Sequence, residues 1–227
     1  LGGEHGGEGP AALWRAGVDF GVRSDAPAVG GRLVDIDGHH GFYDEVLVPL
    51  HGAHQGANAA VAVAAAEAFF DRALDLDVVR EGLAAADLPG RCEVVLHSPL
   101  VLLDGAHNPD ALRALCTTVD EDFTVVGART VVLGMLAGRD PRAAAEALAG
   151  LRPDLVVCTT LDGRRGLPAA ELAAAVSAAG LPTEVQPDPT RALERVLAHA
   201  EDEDLVVVTG SFRMVPLARA ALRGLLP

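Results

Sequence analysis

Lysine is missing altogether. All 18 basic residues are arginine, and 32 acidic residues leave a formal net charge of −14. These 227 residues therefore hold no lysine-dependent phosphate loop and no Schiff-base amine. The acidic balance excludes a general nucleic-acid binder, because phosphate backbones attract basic surfaces. Long apolar runs are absent too. The longest, residues 59–66, is far too short to cross a bilayer, and Glu67 and Asp71 follow it at once. Residues 1–10 lack the basic start and apolar middle of a secretory signal. A cytoplasmic protein with no membrane association is the expectation. Cysteine is scarce: Cys92, Cys116 and Cys158 stand far apart with no CxxC pair, as small buried thiols do, not disulfide or metal ligands.

What the chain does have is aliphatic bulk. Half its residues are hydrophobic, enough for one sizeable core or for one domain and part of another. The segment 14–20 reads as the end of a structural unit. Two β-prone stretches, 31–37 and 42–49, flank Gly38-His39-His40-Gly41 and predict a hairpin. Residues 54–70 predict a helix buried on most sides, and 78–86 a shorter one. Leu88-Pro89-Gly90 is a strong break, and a domain boundary is placed there, dividing 1–88 from 89–227. Beyond it one unit recurs: a β-branched run, a polar turn, then an alanine- and leucine-rich helix. The runs are 100–104, 130–135, 155–160, a weaker 183–186, and 205–209. Prolines near the helix starts suit the first turn, and Asn108 and Asp140 are natural N-caps. The alternation predicts an α/β, Rossmann-like, mostly parallel sheet with helices on both faces. Ligands in such sheets gather at the carboxyl ends of the strands.

Four polar turns stand out. Asp104-Gly105-Ala106-His107-Asn108-Pro109 brings a carboxylate to a strand end and a histidine to the start of a helix, where unpaired N–H groups carry partial positive charge. Asp104 suits two ribose hydroxyls, or merely opens a turn. In His54-Gln55-Gly56-Ala57-Asn58 the amide of Asn58 matches an adenine edge or a backbone group. Arg91, after Pro89-Gly90, suits a phosphate or a surface carboxylate. Ser211, in Thr209-Gly210-Ser211, offers a hydroxyl to an anion or makes a tight turn. The histidines at 39, 40, 51 and 54 fit no zinc spacing and read as loop and cap residues.

In this order, together with Val132-Leu133-Gly134-Met135, these segments resemble the folate branch of the Mur ligase superfamily, the folylpolyglutamate and dihydrofolate synthases. The resemblance covers residues 17–225, and the Asp-Gly-Ala-His-Asn-Pro string is its most specific part. It implies ATP-dependent ligation of L-glutamate to dihydropteroate or folate through an acyl phosphate, with ATP and Mg2+ required and a monomeric parent enzyme. It assigns Asn58 to adenine, Arg91 to the phosphates, Asp104 and His107 to the ribose and nucleotide side of the cleft, and Ser211 to substrate, with Arg91, Asp104 and His107 as the catalytic residues. Residues 1–88 become the tail of the central ATPase domain, and 89–227 the C-terminal domain.

Two departures bear on this. The family's GxxGKGS loop does not occur here, nor do the magnesium ligands that go with it, so the chain alone is expected to be inactive. The segment before Leu88 is expected to be poorly anchored, its strands lacking sheet neighbours. Gly138-Arg139-Asp140 also stands where relatives carry Asp-Lys-Asp. Two other readings compete: a Mur-type ligase of another peptide acceptor, and a non-catalytic Rossmann-like binding module.

Overall fold

The structure, a computed structural model, describes residues 13–161, 163 and 165–225. Residues 1–10, for which the sequence predicts neither an element nor a signal, lie outside these. The first lobe is a three-stranded antiparallel sheet of β1 (Gly21–Ala28), β2 (Gly31–Asp37) and β3 (Phe42–Val48), in that order. Helices α1 (Ala53–Phe70) and α2 (Leu76–Ala84) follow. Val34, Ile36, Tyr43 and Val46 meet Ala59, Ala60, Val63 and Val79 in its core. The predicted hairpin is β2–β3. Strand β1 was not foreseen, because GVRSDAPA lacks alternation and contains Pro27, which a strand tolerates only at an edge such as this one. Helix α2 begins earlier than expected because Asp75 accepts from the N–H groups of Asp77 and Val78.

Glu67 ties this lobe together. Fully buried in α1, its carboxylate accepts the N–H groups of His39 (2.6 Å) and His40 (3.2 Å) and the Tyr43 hydroxyl (2.7 Å). Three donors to one carboxylate fix the β2–β3 turn against the helix. Burial, and then the Glu67 carboxylate, push the Tyr43 phenol up to about 12. Trp14, in the segment read as the end of a preceding unit, instead stacks on His39 of the turn that follows it, at 4.1 Å. The adjacent histidines thus serve a turn.

The second lobe is a six-stranded sheet of order β4-β5-β9-β6-β7-β8. Its strands are β4 (Glu93–His97), β5 (Leu100–Leu103), β6 (Arg129–Met135), β7 (Leu155–Thr160), β8 (Thr183–Val185) and β9 (Leu205–Thr209). All neighbours run parallel except β4, which pairs antiparallel with β5. Period-two alternation divides the core. Leu102, Val131, Leu133, Val156 and Val207 face α3 (Pro109–Asp122), α4 (Pro141–Leu148) and α5 (Ala169–Ala178). Val101, Leu103, Val132, Val157 and Val208 face α6 (Pro189–Leu197) and α7 (Met214–Leu225). Strands buried on both faces read as continuous apolar runs, which is why the sequence located them. Asn108 and Asp140 cap α3 and α4 as expected. Strand β4 was missed: it turns into β5 through Ser98 and Pro99 alone, a hairpin where strand–helix units were expected. No described helix is long and apolar enough to cross a membrane. The three cysteines are free and buried, and burial pushes the thiols of Cys116 and Cys158 up to about 11 and about 12.

The lobes meet at Asp122, the last residue of α3. Its carboxylate, 1% exposed, pairs with buried Arg32 of β2, accepts the Gly52 N–H at 2.8 Å, and lies 3.4 Å from His51 Nδ1. Arg32 also donates to Asp25 of β1. The expected loose anchoring is therefore not what the contacts describe: the first lobe has its own sheet and core, and a buried ion pair bolts it to the second. A buried pair adds little over an apolar one, yet losing one partner strands the other. Replacing Asp122 with Ala is expected to lower unfolding free energy by roughly 3–5 kcal/mol. Urea denaturation monitored at Trp14 measures this, and an unchanged midpoint would refute the bolt.

Candidate functional site

Strand β9 lies between β5 and β6, so the turns after these three strands adjoin at the switch point of the sheet. Asp104 opens the turn after β5. Its Oδ1 accepts the Ala106 N–H at 2.7 Å and its Oδ2 the Cys92 N–H at 2.8 Å. The second bond pins the linker between the lobes to the strand end. Two more bonds complete the pinning: Gly105 N–H donates to the Gly90 carbonyl (2.8 Å), and Gly90 N–H to Glu93 Oε2 (2.8 Å). The bend needs glycine at 90, where φ is +73° and a Cβ would lie 2.5 Å from a Val215 methyl. Burial pushes the Asp104 carboxyl up, while the two N–H donors and Arg91 pull it down. Asp104 is thus a structural acceptor first, and each oxygen keeps one lone pair for a ligand.

The pinned linker delivers Arg91 to the cleft. Its guanidinium lies over the Phe212 ring, 4.5 Å from the centroid, and among the described residues no carboxylate comes within ion-pair distance of it. The same ring approaches His107, with centroids 6.1 Å apart. A Cβ at Gly105 would lie 2.3 Å from a Phe212 ring carbon, so the ring occupies the space that glycine leaves open. His107 Nδ1 sits 2.9 Å from the Gly105 carbonyl. A carbonyl only accepts, so Nδ1 carries a proton, and in the neutral ring Nε2 is the acceptor. Ser211, buried, takes the Arg213 N–H on its hydroxyl oxygen at 3.2 Å, which leaves its proton to donate.

Across the cleft, Asn58 donates to Gln55 Oε1 (3.0 Å), and the Gln55 amide meets His54 Nε2 at 3.1 Å. Gln55 is buried, and its amide orients both neighbours. Partial burial holds His54 below the usual histidine range; Asp104 draws it up and Arg91 drives it down.

Asn58, Gln55, His54 and Arg91 line one cavity of about 410 Å3. His107, Ser211, Phe212 and Arg139 line a second of about 230 Å3. Arg91 stands at the first and rests on Phe212, which stands at the second. The Arg91–Phe212 contact thus links the two cavities, whereas Asp104 lines neither and reaches the site through the Cys92 N–H. Phe212, His54 and Gln55 were not singled out. The two polar residues sat inside the quoted string, but a lone aromatic in Gly210-Ser211-Phe212 gave no signal. Another cavity, about 540 Å3, lies at the opposite ends of the strands, beside Thr130, Leu155 and Val206. Its Glu184 and Arg195 pair with each other.

A mostly parallel α/β sheet with cavities beside the carboxyl ends of its central strands defines a Rossmann-like α/β protein. Residues 90–212 match the model of the Mur ligase glutamate ligase domain, and the chain belongs to that family. It is 40% identical over 143 residues to a dihydrofolate synthase/folylpolyglutamate synthase of Mycobacterium tuberculosis, covering 58% of this chain and 29% of that protein. It is 32% identical over 196 residues to a UDP-N-acetylmuramyl-tripeptide synthetase of Leifsonia xyli, covering 80% of this chain and 35% of the other. Among solved structures, a Mycobacterium tuberculosis folylpolyglutamate synthase complexed with ADP superposes with a TM-score of 0.86 at 32% identity, covering 94% of this chain and 49% of that one. The chain spans about half the length of that relative.

The shared field of the cleft is testable. The Arg91 cation lowers both Asp104, by favouring the carboxylate, and His54, by disfavouring the imidazolium. Arg91→Ala should therefore raise both titration midpoints. NMR titration of the two side chains reads the shifts, and two unmoved midpoints would place Arg91 elsewhere.

Proposed function

We propose that this chain is the nucleotide-facing part of an ATP-dependent ligase that joins L-glutamate to dihydropteroate or to folate glutamates. Residues 1–88 are assigned to the tail of the central ATPase domain and 89–227 to the C-terminal domain. The observation that carries the reading is the pinning of the linker on Asp104, which brings Arg91 to the cavity lined by His54 and Asn58. The similarity to a folylpolyglutamate synthase complexed with ADP supports the same ligand.

In this reading the Asn58 amide meets the adenine edge and the spare lone pairs of Asp104 meet ribose hydroxyls. Arg91 grips the phosphates by charge-assisted hydrogen bonds. His107 presents Nε2 beside them, and the Ser211 hydroxyl donates to a substrate carboxylate. A free carboxylate is a poor electrophile. Transfer of the γ-phosphoryl group of ATP to the pteroate or folate carboxylate gives an acyl phosphate and ADP. The glutamate amine then attacks the carbonyl, phosphate leaves with the bonding pair, and the amine loses a proton as the amide forms. Arg91 offsets charge on the phosphoryl group in flight. Magnesium, when bound, supplies further neutralisation. Among the described residues no group of three or more His, Cys, Asp or Glu is placed to hold a metal.

The similarity to a muramyl-tripeptide synthetase favours a second reading, in which the acceptor is a nucleotide-linked muramyl peptide. A GxxGKGS loop is absent from these residues, and with no lysine the phosphates meet arginine alone. The chain by itself is therefore expected to bind ATP weakly and turn nothing over. Isothermal titration giving low-micromolar affinity would contradict this. Joined to a GxxGKGS-bearing ATPase segment, it is expected to ligate glutamate to dihydropteroate or folate and not to extend a nucleotide-muramyl precursor. The reverse preference would install the second reading, and ligation of neither acceptor would remove both.

A further inference from the structure

Phe212 is 39% exposed at the cavity it shares with His107, Ser211 and Arg139, so its ring gains little from burial. Its placement is nonetheless determined. Gly105 lacks the Cβ that would strike the ring, the Arg91 guanidinium lies 4.5 Å from the centroid, and His107 approaches at 6.1 Å. The alternative means of parking an arginine, a carboxylate partner, would compete with any phosphate for the same N–H donors. An aromatic face attracts the cation through its quadrupole and leaves the in-plane donors free.

We infer that Phe212 is a positioning residue: it holds the Arg91 guanidinium by cation–π stacking, aimed into the cleft with its N–H donors uncommitted, so that an incoming nucleoside diphosphate meets a preset phosphate clamp. The inference rests on the reading of Arg91 as a phosphate ligand. The ring also couples the turn after β9 to the linker. Phe212 and Ser211, one residue apart, thus place the phosphate side and the substrate side of the site on a single short turn.

NMR of the 227-residue chain, with ADP as the probe, tests this. The Arg91 Nε–Hε signal should carry an upfield ring-current shift in the wild type and in Phe212→Tyr, and lose it in Phe212→Leu. ADP titration should give a dissociation constant roughly 2–5-fold weaker for Phe212→Leu than for the wild type, matching an exposed cation–π contact of about 0.5–1 kcal/mol. Phe212→Tyr should restore it. In an Arg91→Ala background, followed on the His107 ring protons, Phe212→Leu should change nothing further. An Arg91 signal indifferent to Phe212→Leu, or an affinity loss that persists without Arg91, overturns the positioning role alone. Should the ring-current shift behave as stated while ADP moves Arg91 in no variant, the phosphate reading falls and takes this inference with it.

Discussion

The hydrogen bond from the Cys92 N–H to the Asp104 carboxylate is the contact on which the rest of the site depends. It joins the linker between the lobes to the end of a central strand, so the residue preceding Cys92 cannot wander. A carboxylate is suited to this because it can accept two backbone donors at once and still present lone pairs outward. Burying it is unfavourable in itself, as the upward shift of the group records. The two N–H donors and the nearby arginine offset that penalty, which makes the anion and its surroundings mutually dependent. A site whose parts stabilise one another in this way needs no long secondary-structure element to hold it.

Two other carboxylates play comparable roles at greater depth. Glu67 fastens the turn between β2 and β3 to α1, and Asp122 fastens the first lobe to the second. In a chain with a formal charge of −14, these acids are distinguished from the solvated majority by what donates to them. Each accepts at least one backbone N–H as well as a side-chain donor or cation. The charge surplus elsewhere speaks to solubility. The first lobe thus arrives at the second as a unit with its own core, and the cleft between them is set by the Asp122 contact and the linker together.

The parallel strands β5, β6, β7 and β9 were legible in the sequence because burial on both faces writes itself as unbroken runs such as Leu205–Thr209, while the exposed edge strand β8 left a weaker trace, and capped helices announce their starts at Asn108 and Asp140. The edge strands β1 and β4 were not legible, since an edge can be polar, carry proline or be short without penalty. Of the site, the residues with dedicated chemistry were visible through their order along the chain: Asn58, Arg91, Asp104, His107 and Ser211. Their geometry was not. No pattern showed that Asp104 binds the linker backbone, that Gln55 orients Asn58 and His54, or that Phe212 fills the space over Gly105. Such relations join positions remote in sequence, and spacing along one strand or helix carries no trace of them.

Convergence of the four turns on one ligand is the central claim, and mapping ADP onto the backbone amide spectrum tests it most directly. Amides of residues 54–58, 90–92, 104–108 and 210–212 should shift together along one binding isotherm, with the strand-start cavity beside Thr130 silent. Shifts confined to one turn, or following separate isotherms, would contradict a common cleft.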